Sequence, residues 1–195
     1  MNKGRLEAFS DGVLAIIVTI MVLELKVPHG SSLHDTLGML PSIFSYLLSF
    51  VFIGIYWNSH HHLFQAAKKV NGGILWANLH LLFWLSLVPF TTSWMDEAHY
   101  ASWPVAVYGI VLLASAIAYT ILSRILIYHH GKDSLLAMAM GKNFKEDLKG
   151  LISLACYFVA IPAAFLNTWI SRALYITVAI IWLLPDRRIE KRMES

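Results

Sequence analysis

Charge is scarce in this sequence. Lys, Arg, Asp and Glu supply 14% of its 195 residues, against about 25% in soluble domains. Hydrophobic residues reach 57% and mean hydropathy is +0.61, so a soluble fold would lack the polar groups to cover itself. The same figures exclude a disordered chain, which needs low hydrophobicity and high net charge. Cysteine occurs once, at Cys156, so no disulfide closes within the chain. Basic residues exceed acidic ones by 15 to 12, too small a margin to argue for nucleic acid. No Gly-rich phosphate loop, nucleophile elbow or Ser–His–Asp spacing is present. Enzyme chemistry therefore finds no footing. The Thr-Val-Gly-Tyr-Gly carbonyl filter and an Arg-rich sensor helix are missing too. What remains is an all-α, multi-pass membrane protein.

A spanning helix takes about 20 mostly apolar residues. Six runs approach that length, at 9–25, 40–57, 74–94, 105–127, 151–170 and 173–184. They define one six-helix domain over 1–195. The last run is short, and the fifth and sixth can also be read as one element broken around Pro162 and Asn167-Thr168. Lys3 and Arg5 ahead of the first run resemble a signal peptide's basic region. Glu7 and Asp11 interrupt that pattern, and Leu23-Glu24-Leu25-Lys26 offers no small-residue cleavage site, so the run is kept as the first span. With the termini and alternate loops on one side, that side holds every Lys and Arg except Lys26 and Arg172. The positive-inside rule then places both termini in the cytoplasm and favours an even number of spans. Asp96 and Glu97 fall outside, among aromatics that suit an interfacial belt. The inner loop 129–149 has room for a short helix.

The first span carries the most informative polar groups. Arg5, Ser10 and Asp11 sit at its cytoplasmic mouth. A charge at mid-bilayer costs about 2.5–3.5 kcal/mol on insertion scales, so Asp11 needs a partner or water. Arg5 can fold back on it or reach it from a neighbouring subunit. Equally, Asp11 can be a plain helix-start acid favoured by the dipole. At 100° per residue, Gly12, Ile16, Thr19, Ile20 and Leu23 share one face. That face suits lipid contact or helix packing, or else an aqueous path narrowed by apolar rings; periodicity does not choose.

His60-His61-His62 ends the second span. Adjacent helical residues point about 100° apart, so the three cannot converge on one metal ion. A single buried histidine bonded to an acid such as Asp11 is the better expectation. Asn78, His80, Ser86 and Pro89 mark the third span for cross-helix bonding and a kink.

Arg5-x-x-x-Phe9-Ser10-Asp11 resembles the first-helix signature of the transmembrane protein 175 family, a group of potassium-permeable channels. Trp57-x-x-His60-x-x-Leu63-Phe64 and Asn78 with Pro89-Phe90 are similar to the ends of its second and third helices. Together they cover roughly the first half of the chain. The resemblance implies the prokaryotic kind, with six helices per subunit, four subunits, and the first helices around the pore. Carried over, it puts the constriction on Ile16, Ile20 and Leu23, with Thr19 as a polar layer and Arg5, Ser10, Asp11, Trp57 and His60 as a structural polar network. Glu24 would then lie at the outer mouth, partly cancelled by Lys26. The expectation is a homotetrameric potassium channel of a prokaryotic inner membrane, without cofactor, metal or nucleic-acid partner, passing potassium and other monovalent cations. Nine histidines and Asp11 keep a proton-conducting channel or proton-coupled transporter as the alternative.

Overall fold

The computed structural model describes residues 2–28, 30–67, 69–131 and 148–183. Helix α1 (Lys3–Leu23) starts at Asn2, whose side chain accepts from the Gly4 N–H, filling one orphan donor of the first turn. A short α2 (Leu33–Gly38) follows a capping box: the Ser32 hydroxyl accepts from the Asp35 N–H while Asp35 accepts from the Ser32 N–H. Pro41 in the first turn opens α3 (Leu40–Gln65). Asn71 caps α4 (Gly72–Ser86) through the Ile74 N–H. Pro89 lies in the first turn of α5 (Val88–Glu97), and because it has no N–H to donate, the third span breaks at Leu87 rather than running straight. The long α6 (Ser102–His130) stops at Gly131, whose φ of 89° favours glycine. Helices α7 (Leu148–Ala163) and α8 (Thr168–Leu183) form a hairpin.

Among the described residues, four stretches are long and apolar enough to cross a membrane: Lys3–Leu23, Leu40–Gln65, Gly72–Glu97 and Ser102–His130. Helices α7 and α8, at 16 residues each, are apolar but shorter. The chain is a multi-pass, all-helical protein among the described residues. The inner loop's short helix and the basic residues Lys68, Lys132, Lys142, Lys145, Arg187, Arg188, Lys191 and Arg192 lie outside those residues.

One boundary differs from the sequence reading. A division of the fifth and sixth runs near Arg172 misses the turn, which falls at 164–167, within the alternative break around Pro162 and Asn167-Thr168, and Trp169 and Ile170 belong to α8. Pro162 and Ala163 carbonyls take the N–H groups of Phe165, Leu166 and Asn167. The Asn167 side chain then accepts from the Trp169 N–H, capping the next helix. Arg172 stays within α8 because its guanidinium lies over the Trp169 and Tyr100 rings, 3.7 and 4.5 Å from their centroids.

Helix α6 forms the middle of the bundle, packed on α4, α5, α7 and α8, while α1 lies to one side against α3, α4 and α5. Tyr108, Tyr157 and Tyr175 fill the centre. Their hydroxyls need partners away from water: Tyr175 donates to the Val105 carbonyl at 3.0 Å, and the Tyr108 hydroxyl bonds Ser49 at 2.9 Å. Ser49 also bonds Thr92 at 2.7 Å, tying α3 to α5. Gly109 is required where α6 meets α8, since a Cβ there would collide with the Tyr175 hydroxyl.

Candidate pore helix and its polar supports

Helix α1 has two distinct faces. Leu6, Ser10, Leu14, Ile17 and Met21, spaced three or four apart, are buried against the bundle. Gly12, Ile16, Thr19, Ile20 and Leu23 are exposed in the single chain, with Ile16 60% and Leu23 76% accessible. Both faces are apolar at mid-helix. The difference is that one is packed against the bundle and the other stays largely uncovered in the single chain.

The buried face is fixed by a directed hydrogen-bond chain. His60 Nε2 lies 2.7 Å from Asn78 Oδ1, and an amide oxygen only accepts, so the imidazole donates. The Asn78 amide donates to Ser10 Oγ at 2.9 Å, and Ser10 donates to the Leu6 carbonyl at 2.9 Å. Ser10 and Asn78 are fully buried and His60 nearly so. One line of donors thus joins α3, α4 and α1. A little outward from it, Trp57 Nε1 donates to Asp11 Oδ1 at 3.1 Å in a more exposed setting.

The five polar residues singled out from the sequence therefore divide. Ser10 and His60 meet through Asn78, and Asp11 and Trp57 meet directly. Arg5 is exposed, and the two ion pairs among the described residues are Lys3–Glu7 and Lys26–Glu97, so it does not fold back on Asp11. The partner of His60 is Asn78 rather than Asp11. Asp11 lies one residue beyond Ser10, about 100° around the helix, and that offset turns it toward Trp57 instead. His61 stacks on Trp57 with centroids 6.0 Å apart, so the histidine run diverges. Among the described residues no three His, Cys, Asp or Glu side chains form a metal-sized group.

On the exposed face Thr19 donates its hydroxyl to the Ala15 carbonyl at 2.8 Å, leaving its lone pairs outward. Glu24, just past the helix, is exposed. Lys26 does not lean back on it alone: its ammonium lies 2.6 Å from the Glu97 carboxylate, which holds the lysine above its usual range. A cavity of about 620 Å³ opens beside this face, between Ile16 and Ile20 of α1 and Pro89, Phe90 and Trp94 of α5, with Glu24 and Glu97 at one end. Sequence periodicity located the exposed face but not this cavity, because its other wall comes from α5, distant in sequence.

Residues 5–89 match the family model of the endosomal/lysosomal potassium channel TMEM175. A potassium channel of Chryseobacterium sp. (strain P1-3) is 57% identical over 195 residues, the full length of both chains. The chain belongs to the TMEM175 family. The crystal structure of a lysosomal potassium-selective channel TMEM175 homolog from Chamaesiphon minutus has the same fold, with a TM-score of 0.74 and 30% identity. It covers 93% of this chain and 96% of that one. The endosomal/lysosomal proton channel TMEM175 of Danio rerio is 26% identical over 94% of this chain, which spans only 36% of that protein. The family likeness thus extends through α7 and α8, where the sequence had offered only hydropathy and length.

Proposed function

We propose that four copies of this chain form a passive, potassium-permeable channel, not an enzyme, in a prokaryotic inner membrane. Each copy crosses six times with both termini in the cytoplasm, and the α1 helices surround the axis. The observation that carries this reading is the uncovered apolar face of α1, set opposite the Ser10–Asn78–His60 chain that anchors the helix. The full-length identity to a bacterial potassium channel supports it.

Four Ile16 side chains make the narrowest ring, with Ile20 and Leu23 outward of it. Hydrocarbon cannot coordinate a cation as carbonyls do, so the ring controls passage by excluding or admitting water. Potassium therefore passes at least partly hydrated and is preferred over sodium only modestly, because the larger ion is cheaper to strip. Thr19 contributes a polar layer, its back-bonded hydroxyl presenting lone pairs to the ion. At the outer mouth, Glu24 and the carbonyl end of α1 raise the local cation concentration. The pairing of Lys26 with Glu97 reduces the lysine's opposition to Glu24.

A proton-conducting channel is the second reading, favoured by the likeness to the endosomal/lysosomal proton channel TMEM175 of Danio rerio. Against it, the hydrogen-bond chain from His60 ends on the Leu6 carbonyl, already inside a helix, and offers no exit for a proton. Purified protein in a planar bilayer separates the two. Under a potassium-to-sodium gradient the reversal potential should follow potassium and be insensitive to a pH gradient. A reversal potential that follows the pH gradient instead would favour the proton reading.

A further inference from the structure

The turn end of the α7–α8 hairpin carries a cation that the pore reading does not use. Arg172 lies one turn into α8, and its guanidinium carbon is 3.7 Å from the Trp169 ring centroid and 4.5 Å from that of Tyr100. A planar guanidinium laid on aromatic faces keeps its edge N–H groups for an anion. Its Nε makes one long bond, 3.4 Å to the Thr168 carbonyl, and its terminal nitrogens meet no acceptor among the described residues. Nor does it belong to either ion pair among them; Glu97, the acid close to Tyr100 in sequence, holds Lys26 instead. The hairpin is described throughout, from 148 to 183. Tyr100 itself is firmly set. Its φ of 59°, beside His99 at 49°, is a left-handed backbone that bulky residues rarely adopt, and its hydroxyl donates to the Pro41 carbonyl and bonds Ser45, each at 2.7 Å. The surface beside this cation is apolar. Trp103, Phe165, Leu166, Trp169 and Ile170 are exposed, and the Trp103 and Phe165 rings meet edge to face at 5.1 Å.

We propose that Arg172 holds a membrane phospholipid: its free N–H edge binds the headgroup phosphate, and Trp103, Phe165, Leu166 and Trp169 lie against the glycerol and the upper acyl chains. Water does not favour so many exposed rings, and hydrocarbon does not favour the charge, whereas the headgroup layer takes both. A phosphodiester carries one negative charge and paired oxygens that suit the guanidinium fork, so a single arginine matches it. The site reads the phosphate and the chains, not the headgroup alcohol. Helix α8 packs on α3, α6 and α7, while α1 packs on α3, α4 and α5. Subunits closed around α1 therefore leave this end at their rim, facing lipid. Under the proposed orientation the lipid belongs to the outer leaflet. That leaflet assignment rests on the channel reading; the phosphate contact does not.

The test is native mass spectrometry of the full chain, purified in detergent and titrated with phosphatidylglycerol, with a diacylglycerol of the same chains, and with glycerol 3-phosphate. One phosphatidylglycerol per chain should bind most tightly. The diacylglycerol lacks the phosphate and glycerol 3-phosphate lacks the chains, so each should bind about tenfold more weakly or less, the effect of losing a charge-assisted contact or its apolar support. Arg172→Gln should weaken phosphatidylglycerol about tenfold and leave the diacylglycerol affinity unchanged. Diacylglycerol binding as tightly as phosphatidylglycerol, or an Arg172→Gln chain that binds phosphatidylglycerol as the original does, overturns the proposal. Equal binding of glycerol 3-phosphate makes this a site for free phosphate and overturns the lipid assignment. Lipid-free dimers that Arg172→Gln abolishes, with no response to lipid, would put a second copy on this surface and overturn it as well. If the variant does not fold, the three ligands on the unchanged chain still decide. No current is measured, so failure of the channel reading leaves this result standing.

Discussion

At the scale of single residues, the polar groups of α1 differ in how much they hold. Asn78 is fully buried and bridges two partners, so its loss strands a donor on His60 and removes the donor to Ser10. Buried groups left unpaired cost about 1–3 kcal/mol each, although polar bonds between membrane helices average nearer 0.6 kcal/mol in direct tests. Replacing Asn78 by Leu should therefore lower stability by about 1–3 kcal/mol, read as a fall in the thermal unfolding midpoint in detergent. Trp57→Phe removes one exposed bond to Asp11 and should cost well under that, about 0.5 kcal/mol. An equal fall in both variants would contradict the ranking. Gly109 is constrained by packing rather than charge. A methyl group there meets the Tyr175 hydroxyl and Ile161, so Gly109→Ala should cost about 1–3 kcal/mol through overpacking. An unchanged unfolding midpoint would show that α6 and α8 separate freely at that point.

Among the elements, the short α2 was the least visible in advance. Its signal, Ser32-x-x-Asp35, is a capping box in a loop too short to show periodicity. The Ser32 hydroxyl and N–H both donate to Asp35 and hold its carboxyl below the ordinary 3.8. A carboxyl so lowered contributes to the cap above its ordinary value and loses that contribution as pH falls through the lowered one. A carbon-13 titration of the Asp35 side chain should show a midpoint below 3.8, and Ser32→Ala should return it upward. An original midpoint at the ordinary value would mean the cap is not formed in solution. The α7–α8 hairpin turns where the alternative break around Pro162 and Asn167-Thr168 falls, and a division near Arg172 misses it for a related reason. Its turn at Phe165-Leu166 is apolar, and the charge that looked like a boundary, Arg172, is sheltered inside a helix by aromatic rings. By contrast Pro89 announced the break between α4 and α5, because missing a backbone donor has a local consequence that sequence displays.

For the whole molecule, hydropathy disclosed the all-helical, multi-pass character, and the 3.6-residue period separated the two faces of α1. What it withheld were contacts between helices distant in sequence, above all Asn78 between His60 and Ser10. Assembly lies beyond any one chain's periodicity. Detergent-corrected light scattering should give a particle of four 22.0 kDa chains; a monomer or dimer that still conducts would remove the four-fold axis. The most direct measurement of the pore places a thiol on it. In a Cys156→Ser background, Ile16→Cys and Ile20→Cys channels should lose potassium current on exposure to a charged, water-soluble thiol reagent. Ile110→Cys, on the exposed flank of α6, should be untouched. Current that persists in both α1 variants, or that falls in the Ile110 variant alone, would place the conduction path elsewhere.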